Sequence, residues 1–267
     1  MTRRGWFAVL LGVALAVALV FLVLPVVAVF VNTSPSDLVA SLSDPSATDA
    51  LRLSLVTTCI AVAIIVVVGT PAAYLLATRS FRGRSVVVTL IELPLVLPPA
   101  VAGIALLAAL GPHGILGGVL NDAHVELVLQ TAGVVVALTF VAAPFYMRQA
   151  EAAFGAVQRS WLEASRTLGA GEARTFWRVA IPAARPGLVA GLALAWGRAL
   201  GEFGATLMFA GSFRGITQTV PLAIYDQFST DFAGALALSA ILVALSGALL
   251  LTVKLLAGSA PLPGAAR

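Results

Sequence analysis

The stretch 163–182 reads EASRTLGAGEARTFWRVAIP, and it is a long polar segment in a chain that is otherwise mostly apolar. Ser160 and Glu163 have the spacing of a capping box, so the sequence predicts a short helix that begins at Ser160. Gly169 is a natural left-handed C-cap for this helix. A second short helix is predicted over residues 171–179, ended by Pro182.

A short capped helix in a basic loop between apolar segments is typical of a docking element. The small side chains of Ala164 and Ser165 would let a partner approach its backbone closely. The alternative is an amphipathic loop helix that lies on the lipid headgroups. The pattern alone leaves both interpretations open.

The composition is that of a membrane protein. Of the 267 residues 60% are hydrophobic and only 10% are charged, whereas soluble domains carry about 25% charged residues. The net charge of +4 follows the membrane topology and does not indicate nucleic-acid binding. Cys59 is the single cysteine, so an internal disulfide is excluded.

A transmembrane helix needs about 20 apolar residues, and six such segments are predicted. They cover residues 6–31, 51–78, 85–110, 127–147, 186–210 and 232–256. The sequence shows neither an internal repeat nor a soluble domain.

The distribution of positive charge predicts the orientation. The N-terminus, the 79–84 loop, the 148–185 loop and the C-terminal end hold 13 of the 16 Lys and Arg residues. By the positive-inside rule, both termini and the 148–185 loop are expected to be cytoplasmic. A docking helix in that loop would therefore meet a cytoplasmic partner.

The chain carries no P-loop. Lys254 is its only lysine and is not preceded by Gly, whereas a P-loop requires Gly-Lys-[Ser/Thr]. If transport is driven by ATP, the ATPase must be a separate polypeptide.

Five glycines of the fifth predicted span fall on less than half of the helix circumference at about 100° per residue. They are Gly187, Gly191, Gly197, Gly201 and Gly204. Two GxxxG pairs among them allow close backbone approach. The face is interpreted either as helix packing within one subunit or as a pore-lining or dimer face.

Arg198 and Glu202 lie four residues apart at the edge of this face, so they can pair. Charges at membrane depth are costly and usually face a bundle interior or water. One interpretation is a structural, neutralising pair. The other is that Arg198, the only cation well inside a predicted span, attracts an anion in transit.

The third predicted span contains Glu92, Pro94, Pro98 and Pro99. Proline removes a backbone donor and frees carbonyl groups, and such irregular backbone is tolerated where it lines a cavity or is buried in protein. We predict a kinked helix, either beside a transport pathway or kinked only for packing. Glu92 and Glu202 are the two acids that a stand-alone secondary transporter could use for ion coupling.

The 163–182 stretch resembles the EAA loop of ABC importer permeases, which reads Glu-Ala-Ala, three residues, Gly, nine residues, Ile-x-Leu-Pro. The matching positions are Glu163, Ala164, Gly169, Val179, Ile181 and Pro182. This chain departs from the pattern at Ser165, which replaces the third Ala, and in having Val179 for Ile and Ile181 for Leu. The resemblance implies that this loop docks into a groove on a cytoplasmic ATPase.

Three further segments resemble the molybdate branch of these permeases, which also contains tungstate and sulfate permeases. They are LPLVLPP (93–99), RALGEFGAT (198–206) and TQTVPLAIY (217–225). The set expected along the pathway is Glu92, Pro94, Pro98, Pro99, Arg198, Gly201, Glu202 and Thr206. The set expected to couple to the ATPase is Glu163, Ala164, Ser165, Gly169, Ile181 and Pro182.

The resemblance implies an all-α, six-span permease of the type I ABC importer fold in a bacterial or archaeal inner membrane. Its divisions would be 1–49, an N-terminal helix and external loop; 50–256, the permease domain; and 257–267, a short cytoplasmic tail. The chain itself would be no enzyme and would hold neither cofactor nor metal, with ATP and Mg on the partner ATPase. The expected partners are that ATPase, an external oxyanion-binding protein and a second copy of the chain.

The function that follows is alternating-access import of an oxyanion, namely molybdate. Tungstate or sulfate permease is the alternative within the family. A stand-alone secondary transporter and a non-transporting scaffold are the alternatives from other classes.

Overall fold

The computed structural model describes residues 3–257, and this part of the chain folds as helices. In chain order they are α1 (Arg3–Val31), α2 (Pro35–Ser43), α3 (Pro45–Thr78), α4 (Arg84–Val96), α5 (Pro99–Leu110), α6 (Gly117–Asp122), α7 (Thr131–Gly155), α8 (Arg159–Thr167), α9 (Glu172–Thr175), α10 (Ile181–Leu200), α11 (Gly204–Ala210), α12 (Val220–Gln227) and α13 (Phe232–Ala257). A π-helical turn, Phe176–Ala180, joins α9 to α10. The predicted tail 257–267 lies, apart from Ala257, outside the described residues.

Five helical segments are long and apolar enough to cross a membrane, and a sixth arises if α4 and α5 count as one bent span. The predicted all-helical, multi-pass fold is confirmed. The number of spans and the cytoplasmic position of the termini stay predictions.

The core is built from α3, α7 and α10, and α7 packs against both of the others. Many of the buried side chains are alanines, including Ala61, Ala73, Ala142 and Ala195. A Cβ on Gly187 would lie 2.4 Å from the Cβ of Ala153, so α10 and α7 touch through their backbones. Small residues permit such close packing where lipid provides no hydrophobic driving force between helices.

The first helix stands apart from this core. No residue of the segment 6–31 is buried, and α1 packs mainly against α13. An apolar helix exposed on all sides is expected in lipid rather than in water.

The polar segment after α1, predicted as a loop, contains helix α2 and the start of α3. Ser34 and Asp37 form a reciprocal capping box on α2, and Asp44 caps α3. The 34 residues of α3 extend for about 50 Å. Since the hydrocarbon core is about 30 Å thick, the polar first turns of α3 project beyond it.

The third predicted span is not one kinked helix, because the chain bends by 119° between α4 and α5. The residue before a proline is pushed out of the helical region toward extended conformations. Leu97 and Pro98 each precede a proline, and both are extended, with ψ of 130° and 137°. Pro94 lies within α4 and does not end it. Two consecutive prolines therefore turn the expected kink into a break.

The fifth predicted span also differs, at both ends. Pro182 does not end a helix; it sits at the start of α10, and the helix runs without a gap over Glu172–Leu200. The π turn uses a wider i→i+5 ring, with Ile181 N–H bonded to the Phe176 carbonyl. This ring accommodates a proline that would otherwise clash with the carbonyl four residues earlier. At the other end the chain leaves the helix at Gly201 and starts α11 at Gly204.

Candidate functional site

Helix α8 is present, but the predicted capping box at its start is wrong. The N-cap is Gln158 in an extended conformation, and it makes no side-chain capping bond. Ser160 is the second residue of the helix, so it cannot act as N-cap for Glu163. Trp161 N–H donates to the Gln158 carbonyl at 3.1 Å, so the helix starts at Arg159, one residue before the predicted start.

The predicted left-handed cap at the end of α8 is confirmed. Gly169 has φ of +81°, and the two hydrogen bonds of a Schellman motif are present. Gly169 N–H donates to the Arg166 carbonyl at 2.9 Å, and Ala170 N–H donates to the Ser165 carbonyl at 3.1 Å.

Ser165 has a structural role that the sequence pattern did not reveal. Its Oγ lies 3.0 Å from Oγ1 of the buried Thr175, which ties α8 to α9. The departure from alanine at this position thus adds a hydrogen bond between the short helix and the segment that leads into α10.

The outer surface of α8 is open. Glu163 and Ala164 are exposed, as are Trp161 and Leu168, while Leu162 is buried. A cleft of about 520 Å³ separates α8 from the turn after α3, and its lining includes Arg79, Arg84, Arg159, Glu163 and Arg166. Charged walls beside exposed apolar side chains are the kind of surface that a protein partner covers.

Ile181 and Pro182, the other two predicted coupling residues, belong to the stem of α10. Ile181 is half-buried against the main core, and Pro182 is exposed at the second helical position. Both residues therefore lie where the segment of α8 and α9 joins the core helix α10, and not on the surface of α8.

Arg198 and Glu202 form the predicted ion pair, with Nη2 and Oε2 2.6 Å apart. Glu202 is almost completely buried, at 1% side-chain exposure, whereas Arg198 is 27% exposed. The second carboxylate oxygen, Oε1, accepts a hydrogen bond of 2.7 Å from Ala205 N–H and so holds the start of α11. The pair lies at the break after α10. The sequence predicted a continuous span here, so this position at a helix end was not expected.

The five glycines predicted on one face divide into two groups. Gly187 and Gly191 pack against α7, and Gly204 packs against Pro99 on α5. A Cβ on Gly197 would meet nothing within 4 Å, and one on Gly201 would meet only the carbonyl of Gly197. The first group supports packing within the subunit. The second leaves an open surface beside Arg198.

The structure brings part of the predicted pathway set together at the elbow between α4 and α5. A Cβ on Gly204 would lie 2.7 Å from Pro99 Cβ, and one on Gly103 would lie 2.6 Å from Met208 Cβ. Pro98 is exposed at this elbow. Thr206 is fully buried, and its Oγ1 has no hydrogen-bond partner among the described residues.

Glu92 belongs to a different cluster. Its Oε1 lies 2.7 Å from Arg148 Nε, at the end of α7 that leads to α8. Arg148 also contacts Glu151 at 3.2 Å, and Glu151 lies 2.6 Å from Arg84. The sequence placed these residues in separate loops and spans. The Arg148/Glu151 spacing of three was the one local signal of the cluster.

The geometry defines a class: a multi-pass membrane protein with an exposed, capped surface helix and a broken helix pair beside an intramembrane ion pair. Its fold is shared with permease chains of ABC importers. One is in the crystal structure of a bacterial alginate ABC transporter in complex with an alginate pentasaccharide-bound periplasmic protein, with a TM-score of 0.76, 15% identity, and coverage of 96% of this chain and 95% of that one. Another is in the inward-facing MetNI methionine ABC transporter, with a TM-score of 0.61, 20% identity, and coverage of 78% and 93%.

Residues 66–257 match the family described as binding-protein-dependent transport system inner membrane component, and the chain belongs to that family. It is 43% identical over 237 residues to the molybdenum transport system permease protein ModB of Mycobacterium tuberculosis, covering 88% of this chain and 89% of the relative. A probable molybdenum ABC transporter permease of Haloferax volcanii is 38% identical, with coverage of 94% and 89%. The sulfate transport system permease protein CysW of Synechococcus elongatus is 33% identical, with coverage of 83% and 79%.

Proposed function

We propose that this chain is the permease subunit of an ATP-driven importer that carries molybdate across the inner membrane by alternating access. The observation that carries the proposal is the 43% identity to a molybdenum permease over 88% of the chain. Permeases named for sulfate share less identity, at 33%. The chain is a transport subunit rather than an enzyme, with ATP and Mg bound on a separate ATPase chain.

Helix α8 is the proposed contact with the ATPase. Its exposed residues Glu163 and Ala164 precede a rigid Schellman end at Gly169. Leu168, 88% exposed, offers an apolar side chain next to that end. A capped helix of nine residues presents these groups in a fixed geometry, which lowers the entropy cost of docking.

The proposed anion path runs past Arg198. This guanidinium is partly exposed beside the open surface of Gly197 and Gly201. Its charge is held in place by Glu202, which is itself fixed to α11. A cation at membrane depth beside an open surface favours an anion over a cation.

The further partners are proposed from the same family relationship. They are a second copy of this chain, which would close the open surface around Arg198, and an extracytoplasmic oxyanion-binding protein. Tungstate is a second candidate substrate because it shares the charge and shape of molybdate.

Reconstitution tests the proposal. The chain is assembled in liposomes with an ABC ATPase and an oxyanion-binding protein from the same organism, and uptake of molybdate, tungstate and sulfate is measured with and without ATP. We expect ATP-dependent molybdate uptake that requires the binding protein. Uptake that follows a proton gradient without the ATPase would favour the secondary transporter, and sulfate uptake in preference to molybdate would reassign the substrate.

A further inference from the structure

A groove of about 610 Å³ opens between α3, α7 and α10 on the apolar exterior of the subunit. Val66 and Val67 line one wall, and Leu188 and Leu192 line the other. Tyr146 forms part of the lining, and its hydroxyl is 2.6 Å from Thr70 Oγ1. Because that hydroxyl already has a partner, the interior of the groove requires no polar ligand.

One end of the groove is cationic and aromatic. Arg185 is exposed and forms no ion pair or side-chain hydrogen bond with any residue that the structure describes. Trp177, on the π turn, is 66% exposed at the same end. Trp and Arg are the side chains that mark the boundary between hydrocarbon and headgroups.

The dimensions suit the headgroup-proximal part of one lipid tail, since one leaflet of the hydrocarbon core is about 15 Å thick. Arg185 and Leu192 are seven residues apart on α10, which corresponds to about 10 Å along the helix. The volume lies within the range of about 300–1,000 Å³ typical of sites that enclose one ligand.

We propose that this groove binds one anionic phospholipid from the leaflet on the side of α8, with its phosphate at Arg185 and an acyl chain along Val67, Leu188 and Leu192. The charge complementarity carries the choice of ligand. A guanidinium binds a phosphate through two parallel hydrogen bonds, and basic pockets between transmembrane helices bind anionic headgroups. A free phosphate would leave the apolar walls uncovered, whereas a phospholipid satisfies both parts. The site goes beyond the proposed transport function and does not depend on which anion is carried.

The test is lipid retention by the full-length chain in nanodiscs that contain phosphatidylglycerol and phosphatidylcholine in equal amounts. Native mass spectrometry after detergent extraction counts the lipids that stay bound. We expect phosphatidylglycerol to be retained selectively. Arg185→Gln should lower that selectivity about fivefold, since one cation near the membrane surface raises the affinity for an anionic lipid by about that factor. The matched control is Arg174→Gln, an exposed arginine of the same segment that does not line the groove.

A second pair of variants tests the apolar part. Val189→Trp fills the groove and should abolish retention of either lipid, whereas Leu194→Trp, at an exposed position on another face of α10, should not. If Val189→Trp fails to fold, Val67→Trp at the opposite wall replaces it. Equal retention by Arg185→Gln, or an equal loss with Arg174→Gln, would overturn the proposal. So would a Val189→Cys cross-link to a second copy of the chain or to the ATPase, because protein would then cover the groove.

Discussion

Arg198→Met and Glu202→Gln should have unequal effects on folding, because the two partners of the ion pair are buried to different degrees. Removal of Arg198 leaves a carboxylate with 1% exposure and no counter-charge. Removal of the charge on Glu202 leaves a guanidinium that is 27% exposed. A glutamine at position 202 also keeps an oxygen that can accept the Ala205 N–H.

The magnitudes follow from that asymmetry. An uncompensated buried charge costs about 3–5 kcal/mol, a large part of a typical stability of about 5–15 kcal/mol. The partly solvated arginine should cost only about 1 kcal/mol when its partner is neutralised. The double change Arg198→Met/Glu202→Gln removes both charges and should recover most of the loss, because a buried pair can be replaced by neutral residues at little cost.

Two measurements separate folding from transport. Size-exclusion chromatography of the assembled complex reports the folded amount, and molybdate uptake is expressed per folded complex. We expect Arg198→Met to give the least folded protein, and the double variant to fold but to transport poorly for lack of the cation. Arg214→Met, at an exposed arginine in the loop before α12, is the control.

Two results would refute this reasoning. A normal amount of folded Arg198→Met would mean that the carboxylate at position 202 does not need its partner. Full specific transport by the double variant would make the pair purely structural, and Arg198 would then leave the proposed pathway.

Gly169→Val should fold but weaken ATPase co-purification and transport, because the positive φ costs a branched residue about 1–2 kcal/mol at a place where a Cβ meets no other atom. In a Cys59→Ser background, a cysteine replacing Asn121 should react with a membrane-impermeant thiol reagent in intact cells. One replacing Arg174 should react only after permeabilisation. Glu151→Gln should lower the thermal midpoint more than Glu92→Gln does. Glu151 is 12% exposed and faces two arginines, so the loss of its charge should lower the free energy of unfolding by about 2 kcal/mol. Glu92 is 36% exposed and has one partner, so the same change there should lower it by less than about 1 kcal/mol.

For Gly169→Val the control is Gly171→Ala, because Gly171 has a negative φ and a Cβ there would meet no other atom. Wild-type ATPase binding by Gly169→Val would contradict a docking role for α8. Labelling at position 174 in intact cells would invert the orientation. Equal midpoints for the two glutamate variants would mean that the arginines around Glu151 are free to move to water.

The apolar segments were predictable from sequence because the length of an apolar run is a local property. The break in the fifth span was not predictable, because the glycines and the Arg198/Glu202 pair near Gly201 are equally compatible with a continuous helix. One tertiary contact holds that break, because Gly204 packs against Pro99 of α5, and Glu202 Oε1 adds a local hydrogen bond by accepting from Ala205 N–H. The break at Leu97 had a local signal in its two prolines, but no local pattern reveals that α5 packs against α11 beyond the break.

The caps show the same limit on a smaller scale. Gly169 was predictable because only glycine adopts its φ without strain. The capping box predicted at Ser160 was wrong, and the one that the structure shows at Ser34 was missed. Both serines lie three residues before an acidic residue, so the spacing alone cannot tell them apart. What distinguishes them is where the preceding chain enters the helix, which for α8 depends on how α7 ends.

The continuity of Glu172–Leu200 gives the proposed transport cycle a mechanical basis. Ser165 ties α8 to Thr175 at one end of this helical run, and Arg198 lies in the last turn at the other. Its 29 residues span about 44 Å, with the π turn as its irregular point.

The backbone of such a run resists bending wherever its hydrogen-bond ladder is intact, so a movement of α8 against an ATPase should displace the whole of α10 rather than be absorbed in a loop. Because Glu202 fixes α11 to the end of α10, and α11 packs on α5, the displacement should reach the α4–α5 elbow as well. Two consecutive glycines inserted into the π turn, Phe176–Ala180, should therefore uncouple ATP hydrolysis from uptake. The ATPase and the oxyanion-binding protein should still bind to this variant.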